Sequence, residues 1–117
     1  GHRDIDVQGE PNTVLMVTLV KANNTKLEHR YADRFLSPTE FQWESQASTK
    51  PEDAKGRRII GHASEGRNIH LFVRRESRGP MTYCGTVQYQ RHEGEKPMRV
   101  WFELDRALPD GLWKLWQ

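Results

Sequence analysis

Asn68-Ile69-His70-Leu71-Phe72-Val73-Arg74-Arg75-Glu76 is the stretch that decides the fold class. Its apolar residues fall at every second position, so Ile69, Leu71 and Val73 share one face of an extended chain and His70, Phe72 and Arg74 the other. A helix would scatter these side chains around its axis, whereas a strand gives the core one clean face. The turn Ser77-Arg78-Gly79-Pro80 then leads into Met81–Arg91, where Thr82, Cys84, Thr86 and Gln88 alternate with Tyr83, Gly85, Val87 and Tyr89. Gly85 inside that run predicts a bulge or a close backbone approach. After the turn His92–Lys96, the segment Met98–Leu104 places Met98, Val100, Phe102 and Leu104 on one face.

Working back toward the start, Arg57–Ala63 reads as a short strand broken by Gly61, and Ala47–Gly56 as a polar loop. Phe41-Gln42-Trp43-Glu44-Ser45-Gln46 alternates again, with Phe41, Trp43 and Ser45 opposite Gln42, Glu44 and Gln46. Just before it, Ser37-Pro38-Thr39-Glu40 matches a capping box: Ser as N-cap, Pro at the first helical position and Glu at the third. That pattern predicts a short helical turn. Thr13–Ala22 is the most apolar run and predicts a buried strand, and Leu27–Tyr31 a short edge strand. At the far end, Pro109-Asp110-Gly111 opens a terminal helical turn carrying Leu112, Trp113, Leu115 and Trp116. Together these predict a mainly β protein: a small barrel or strongly bent antiparallel sheet of about six strands, with one or two short helices.

The chain has 117 residues, enough for one domain. Gly1-His2, with no initiating Met, reads as a cloning remnant, residues 1–12 as remnant plus linker, and 13–117 as the single domain. The chain then reads as a piece of a longer protein. Its net charge is only +2, yet Lys50–Arg78 holds eight basic and four acidic residues, a local field suited to anionic partners. Cys84 is the only cysteine, which excludes an intrachain disulfide and a multi-cysteine zinc site. A reducing cytoplasm is expected, and no apolar run has the length of a membrane span.

Enzyme chemistry finds little support in the pattern. Asp53-Ala54-Lys55 has the Asp-x-Lys spacing of metal-dependent nucleases, with Asp33 or Glu44 as a partner carboxylate, but it falls in an expected loop. The five histidines form no close ligand pair, Cys84 has no adjacent base, and no glycine-rich phosphate loop is present. Neither a cofactor nor a metal is expected, and the domain alone is not expected to be catalytic. Nucleic acid is the better match. Arg57, Arg58, Arg74, Arg75 and Arg78 are candidates for phosphate, because guanidinium groups bind it bidentately and stay charged. Trp43, Tyr83 and Tyr89 are candidate stacking residues, with Ser45, Gln46, Gln42 and His70 as hydrogen-bonding partners for a base. The alternative is a protein-interaction module, whose binding would depend less on salt.

Tyr31-Ala-Asp33-Arg-Phe35, Phe41-x-Trp43-x-Ser45-Gln46, Gly56, Ile69-x-Leu71-Phe72-Val73-Arg74, Tyr83-x-Gly85, Pro97-Met98 and Phe102-x-Leu104 occur in that order. This series resembles the uncharacterised domain at the C-terminal end of many bacterial superfamily-2 helicases, over about residues 13–108. Gln42 and Glu44 stand where the family pattern often has His and Gln. The helicases often also carry a phospholipase-D-type nuclease domain and resemble defence or restriction systems. The resemblance implies a bacterial, cytoplasmic, DNA-handling parent in which this domain supplies target recognition, with DNA that carries a modified base or backbone as the partner. Trp43 and Tyr83 are then expected to wall a pocket.

Overall fold

A computed structural model describes residues 1–20 and 32–117. The expected edge strand at Leu27–Tyr31 and the last residues of the Thr13–Ala22 run lie outside the described residues. The strands are β1 (His2–Val7), β2 (Glu10–Thr18), β3 (Arg34–Ser37), β4 (Glu40–Glu44), β5 (Asn68–Arg74), β6 (Thr82–Glu93) and β7 (Arg99–Leu104). The helices are α1 (Ala54–Ile60) and α2 (Asp110–Trp116). The protein is mainly β, as expected. The described residues form one sheet in the order β1-β2-β5-β6-β7-β4-β3. It is mixed rather than antiparallel throughout, because β2 runs parallel to β5 while the other neighbours are antiparallel. A parallel pair needs a crossover, and here the chain between β2 and β5 holds the β3–β4 hairpin and α1.

The sheet is strongly bent without closing. β1 and β4 are separated by five strand spacings, ~24 Å in a flat sheet. The His2 and Trp43 rings nevertheless lie 6.1 Å apart, so the sheet curls until its two margins meet. The inner face carries the core: Leu15, Val17, Phe41, Ile69, Leu71, Val73, Val87, Val100 and Phe102 are all buried. Ile69, Leu71 and Val73 are on the inside, as their alternation predicts. α2 closes one end of the curl, with Trp116 stacked on Phe35 at 5.6 Å and 11°.

Three local expectations are corrected. Residues 2–12, expected as remnant and linker, pair as β1 and the start of β2; Gln8 and Gly9 both adopt positive φ (53° and 83°), which suits a two-residue hairpin turn. Ser37–Glu40 forms the tight β3–β4 turn instead of a helix. There the Ser37 hydroxyl accepts from the amide of Thr39, two residues on, rather than three as a capping box needs. Arg57–Ala63 is largely helix, with α1 ending at Gly61. Seven residues with adjacent Ile59 and Ile60 are too few to display a helical period. Third among α1's residues, Gly56 must be glycine, since a Cβ there would lie 2.2 Å from the carbonyl oxygen of Lys50. Phe72 faces outward with His70 and Arg74, as the alternation along β5 predicts, and is half-buried.

Candidate nucleic-acid interface

Alternation along β5 sends His70, Phe72 and Arg74 to the outer face. β2 lies beside them in parallel register, pairing Val14 with His70, Met16 with Phe72 and Thr18 with Arg74. On the other side β6 pairs Tyr83 with Phe72 and Thr86 with His70. Residues three apart cannot both face outward on a regular strand. A bulge resolves the parity: Gly85 takes φ +88°, and two residues of β6 oppose Leu71 alone.

The outer face is held by a chain of side-chain hydrogen bonds. The His70 Nε2 lies 2.9 Å from the Asn12 Oδ1 and its Nδ1 lies 2.8 Å from the Tyr83 hydroxyl. The amide oxygen of Asn12 can only accept, so Nε2–H donates to it, and in that tautomer Nδ1 accepts from the Tyr83 hydroxyl. Asn12 is itself fixed by its Nδ2 donating to the Glu10 carbonyl at 3.2 Å. The result is a pinned Tyr83 whose ring is 51% exposed and 4.8 Å from Phe72. Ile5 and Met16 extend this exposed apolar surface across β1 and β2. At its end, Arg74 donates from Nε to the Thr18 hydroxyl at 2.9 Å. Arg75 and Arg78 follow, both exposed and with no ion pair among the described residues.

The other arginines divide. Arg57 is exposed on α1. Arg58 donates to Asp4 at 2.9 Å, and Arg67 to the Asn12 carbonyl at 3.0 Å, so both tie elements of the fold together. Burial would raise the Asp4 carboxyl, but the Thr13 hydroxyl, His2 and Arg58 outweigh it and hold Asp4 at about 2. Burial also pushes the His2 ring below its ordinary value.

The β4 residues occupy a different place. Trp43 is buried against Phe102, and Ser45 accepts from the Met98 amide at 2.8 Å while donating to the Gln46 carbonyl at 3.1 Å. Gln42 is buried too and donates to the Ala32 carbonyl at 2.9 Å. The exposed Gln46 accepts from Lys55 at 2.9 Å. Trp43, Glu44, Ser45 and Gln46 line one side of a cleft of about 340 Å³ where the two margins of the sheet meet, with His2 and Thr18 across from them. In that cleft's wall, Glu44 has a buried Oε2 without a hydrogen-bond partner, 3.8 Å from Arg99. Trp43 and Tyr83 therefore stand on opposite faces of the sheet and do not wall one pocket. Tyr89 is apart from both; it packs partly against the core, and its hydroxyl, raised by burial, lies 2.6 Å from Nδ1 of His92.

Two further polar residues are held by local hydrogen bonds, one at the surface and one in the core. Asp53 stands at the start of α1, and its carboxylate accepts from the Lys50 amide at 3.0 Å. His62, not singled out by the sequence, is buried and bridges the Arg67 carbonyl and the Tyr89 amide. Among the described residues no group of three or more His, Cys, Asp or Glu is placed to hold a metal ion, and no helix is long and apolar enough to cross a membrane. Burial pushes the Cys84 thiol up to about 11, far from a reactive thiolate.

The family model of a domain of unknown function, DUF3427, matches residues 5–115. The chain belongs to that family. The matched span of the DUF3427 domain runs from Ile5 in β1 to Leu115 in α2, and so takes in both the outer-face network and the cleft beside Trp43. Comparison with curated proteins finds no match. Asn12, Met16 and Thr18 were not legible as partners of His70, Phe72 and Arg74, because a parallel pairing between segments over fifty residues apart leaves no local sequence signal.

Proposed function

We propose that this DUF3427 domain is a DNA-recognition module of a larger bacterial protein. In this reading the outer face of β2, β5 and β6 contacts the DNA. The observation that carries it is the pinned, exposed Tyr83 ring beside Phe72, with Arg74, Arg75 and Arg78 following in the same chain segment. Exposed aromatic rings next to guanidinium groups free of ion pairs are the combination that takes up bases and phosphates together. Ile5, Met16 and Tyr83 add exposed apolar area to the same face, which supports its use as a contact surface.

The resemblance to helicase-appended domains supports a cytoplasmic parent with motor and nuclease parts, in which this domain binds and the remainder carries the chemistry. A modified base or backbone is the target that fits a defence-type parent. The cleft beside Trp43 is the part of this reading that would inspect the mark, with the exposed Gln46 on its wall as the hydrogen-bonding group. Its volume lies at the small end of ligand pockets, suited to one base rather than a longer segment.

The test is a binding panel of modified and unmodified oligonucleotides, single-stranded and duplex, at one fixed salt concentration. Arg74→Ala combined with Arg75→Ala is expected to weaken binding and flatten its salt dependence. Unchanged affinity in that double variant would overturn the reading.

A further inference from the structure

Three outward side chains form a row across the sheet. Strand register sets Tyr83 of β6 beside Phe72 of β5, and Phe72 beside Met16 of β2. The Phe72 and Tyr83 rings are 4.8 Å apart, and Met16 is 39% exposed between the buried Leu15 and Val17. Beyond Met16 the row runs out at the seam of the curl. Met16 and Thr18 line the cleft of about 340 Å³ there, with Gln46 across from Thr18. The outer face and the cleft, which Tyr83 and Trp43 approach from opposite sides of the sheet, therefore meet at Met16.

We infer that the DNA bound here is single-stranded, laid across β6, β5 and β2 with successive bases on Tyr83, Phe72 and Met16 and the next base at the mouth of the cleft. This rests on the DNA reading above and narrows it to an unpaired strand. The bases of a duplex keep their faces against one another and show a protein only groove edges and phosphates, so the flat faces of Tyr83 and Phe72 serve a base that has left its stack. Spacing points the same way. Neighbouring strands stand ~4.8 Å apart, whereas a stacked DNA strand advances about 3.4 Å per base. Stacked bases fall out of step with the row, and an extended strand keeps step with it. The outer face is also convex, because the core lies inside the curl and the sheet margins meet. A stiff duplex touches a convex face along a narrow line, while a flexible single strand follows it. For the phosphates, Arg74 stands two residues from Phe72 on the same face, with its Nε held by Thr18.

The experiment is an anisotropy titration, at one fixed salt concentration, of a labelled mixed-sequence dodecamer, free and annealed to its complement. Wild type is expected to bind the single strand about tenfold or more tighter than the duplex. Tyr83→Leu keeps apolar area but loses the flat ring, and should weaken the single strand about fivefold or more. Tyr83→Trp, which restores a flat ring, should retain most of the affinity, and Met16→Ala should lose less than Tyr83→Leu. Unchanged melting temperatures report that the variants are folded. Duplex bound as tightly as single strand overturns this inference and leaves the DNA reading standing. Single-strand affinity that Tyr83→Leu leaves unchanged overturns the placement of the strand on this row. Binding of neither form by the folded wild type overturns the DNA reading and this inference with it.

Discussion

At the scale of single residues, the Asn12–His70–Tyr83 relay separates orientation from contact. Tyr83→Phe keeps the ring and loses only the bond to His70, whereas Tyr83→Ala removes the stacking surface. Tyr83→Ala is expected to cost about 1–3 kcal/mol of DNA affinity and Tyr83→Phe distinctly less, both read by titration at fixed salt. Because Tyr83 is half exposed, neither change should move the melting temperature by much. Asp4 tests the fold rather than the site. Its carboxyl sits at about 2 against an ordinary 3.8, so on acidification the unfolded chain takes up the proton first. The stability it provides, about 1–2 kcal/mol once solvent screening is allowed for, is complete above pH 4 and is lost as the pH falls toward 2. His2 acts with the same sign from a higher starting point: its burial resists protonation that the unfolded chain accepts below the ordinary 6.5. Melting temperature should therefore decline below that pH, and Asp4→Asn should remove the steeper, more acidic part of the decline.

At the scale of elements, the bulge in β6 decides what faces DNA. Gly85 has open space around it but φ +88°, so Gly85→Ala meets backbone strain rather than a clash, about 1–2 kcal/mol. Relief of that strain by regularising β6 would turn Tyr83 away from Phe72. DNA affinity should then fall even where thermal melts show the domain folded. Gly56→Ala is a contrasting case, since its Cβ would collide with backbone in α1's approach to Lys50, and a loss of about 2–3 kcal/mol in chemical denaturation is expected without any special effect on DNA. These elements were unequally legible. β5, β6 and β7 follow from strict alternation, and the bulge from one glycine inside it. β1 was hidden by polar composition, since Arg3, Asp4 and Asp6 look like tail residues until Arg58 and Thr13 are seen to engage Asp4. α1 was too short to show a period. The capping pattern at Ser37 failed because Pro38 serves a hairpin turn as well as a first helical position.

At the scale of the whole molecule, the curl of the sheet sorts the candidate residues. Trp43, read from sequence as a pocket wall shared with Tyr83, lies inside the curl where β1 and β4 meet, and no local pattern reveals which strands become the margins. Trp43→Ala should destabilise the domain by about 3–5 kcal/mol, because it removes a buried ring from the core at that junction. The outer face, by contrast, can lose side chains without unfolding, which is what makes the recognition reading testable. Its three neighbouring arginines should give a binding constant that falls with salt with a logarithmic slope of about 2–3. The most direct measurement is the affinity of wild type and Tyr83→Ala for one set of modified and unmodified oligonucleotides at a single salt concentration. Wild type is expected to bind, and Tyr83→Ala to bind about tenfold or more weakly with the melting temperature retained. Equal affinity of the two proteins for every oligonucleotide, or no binding by a folded wild type, would contradict it.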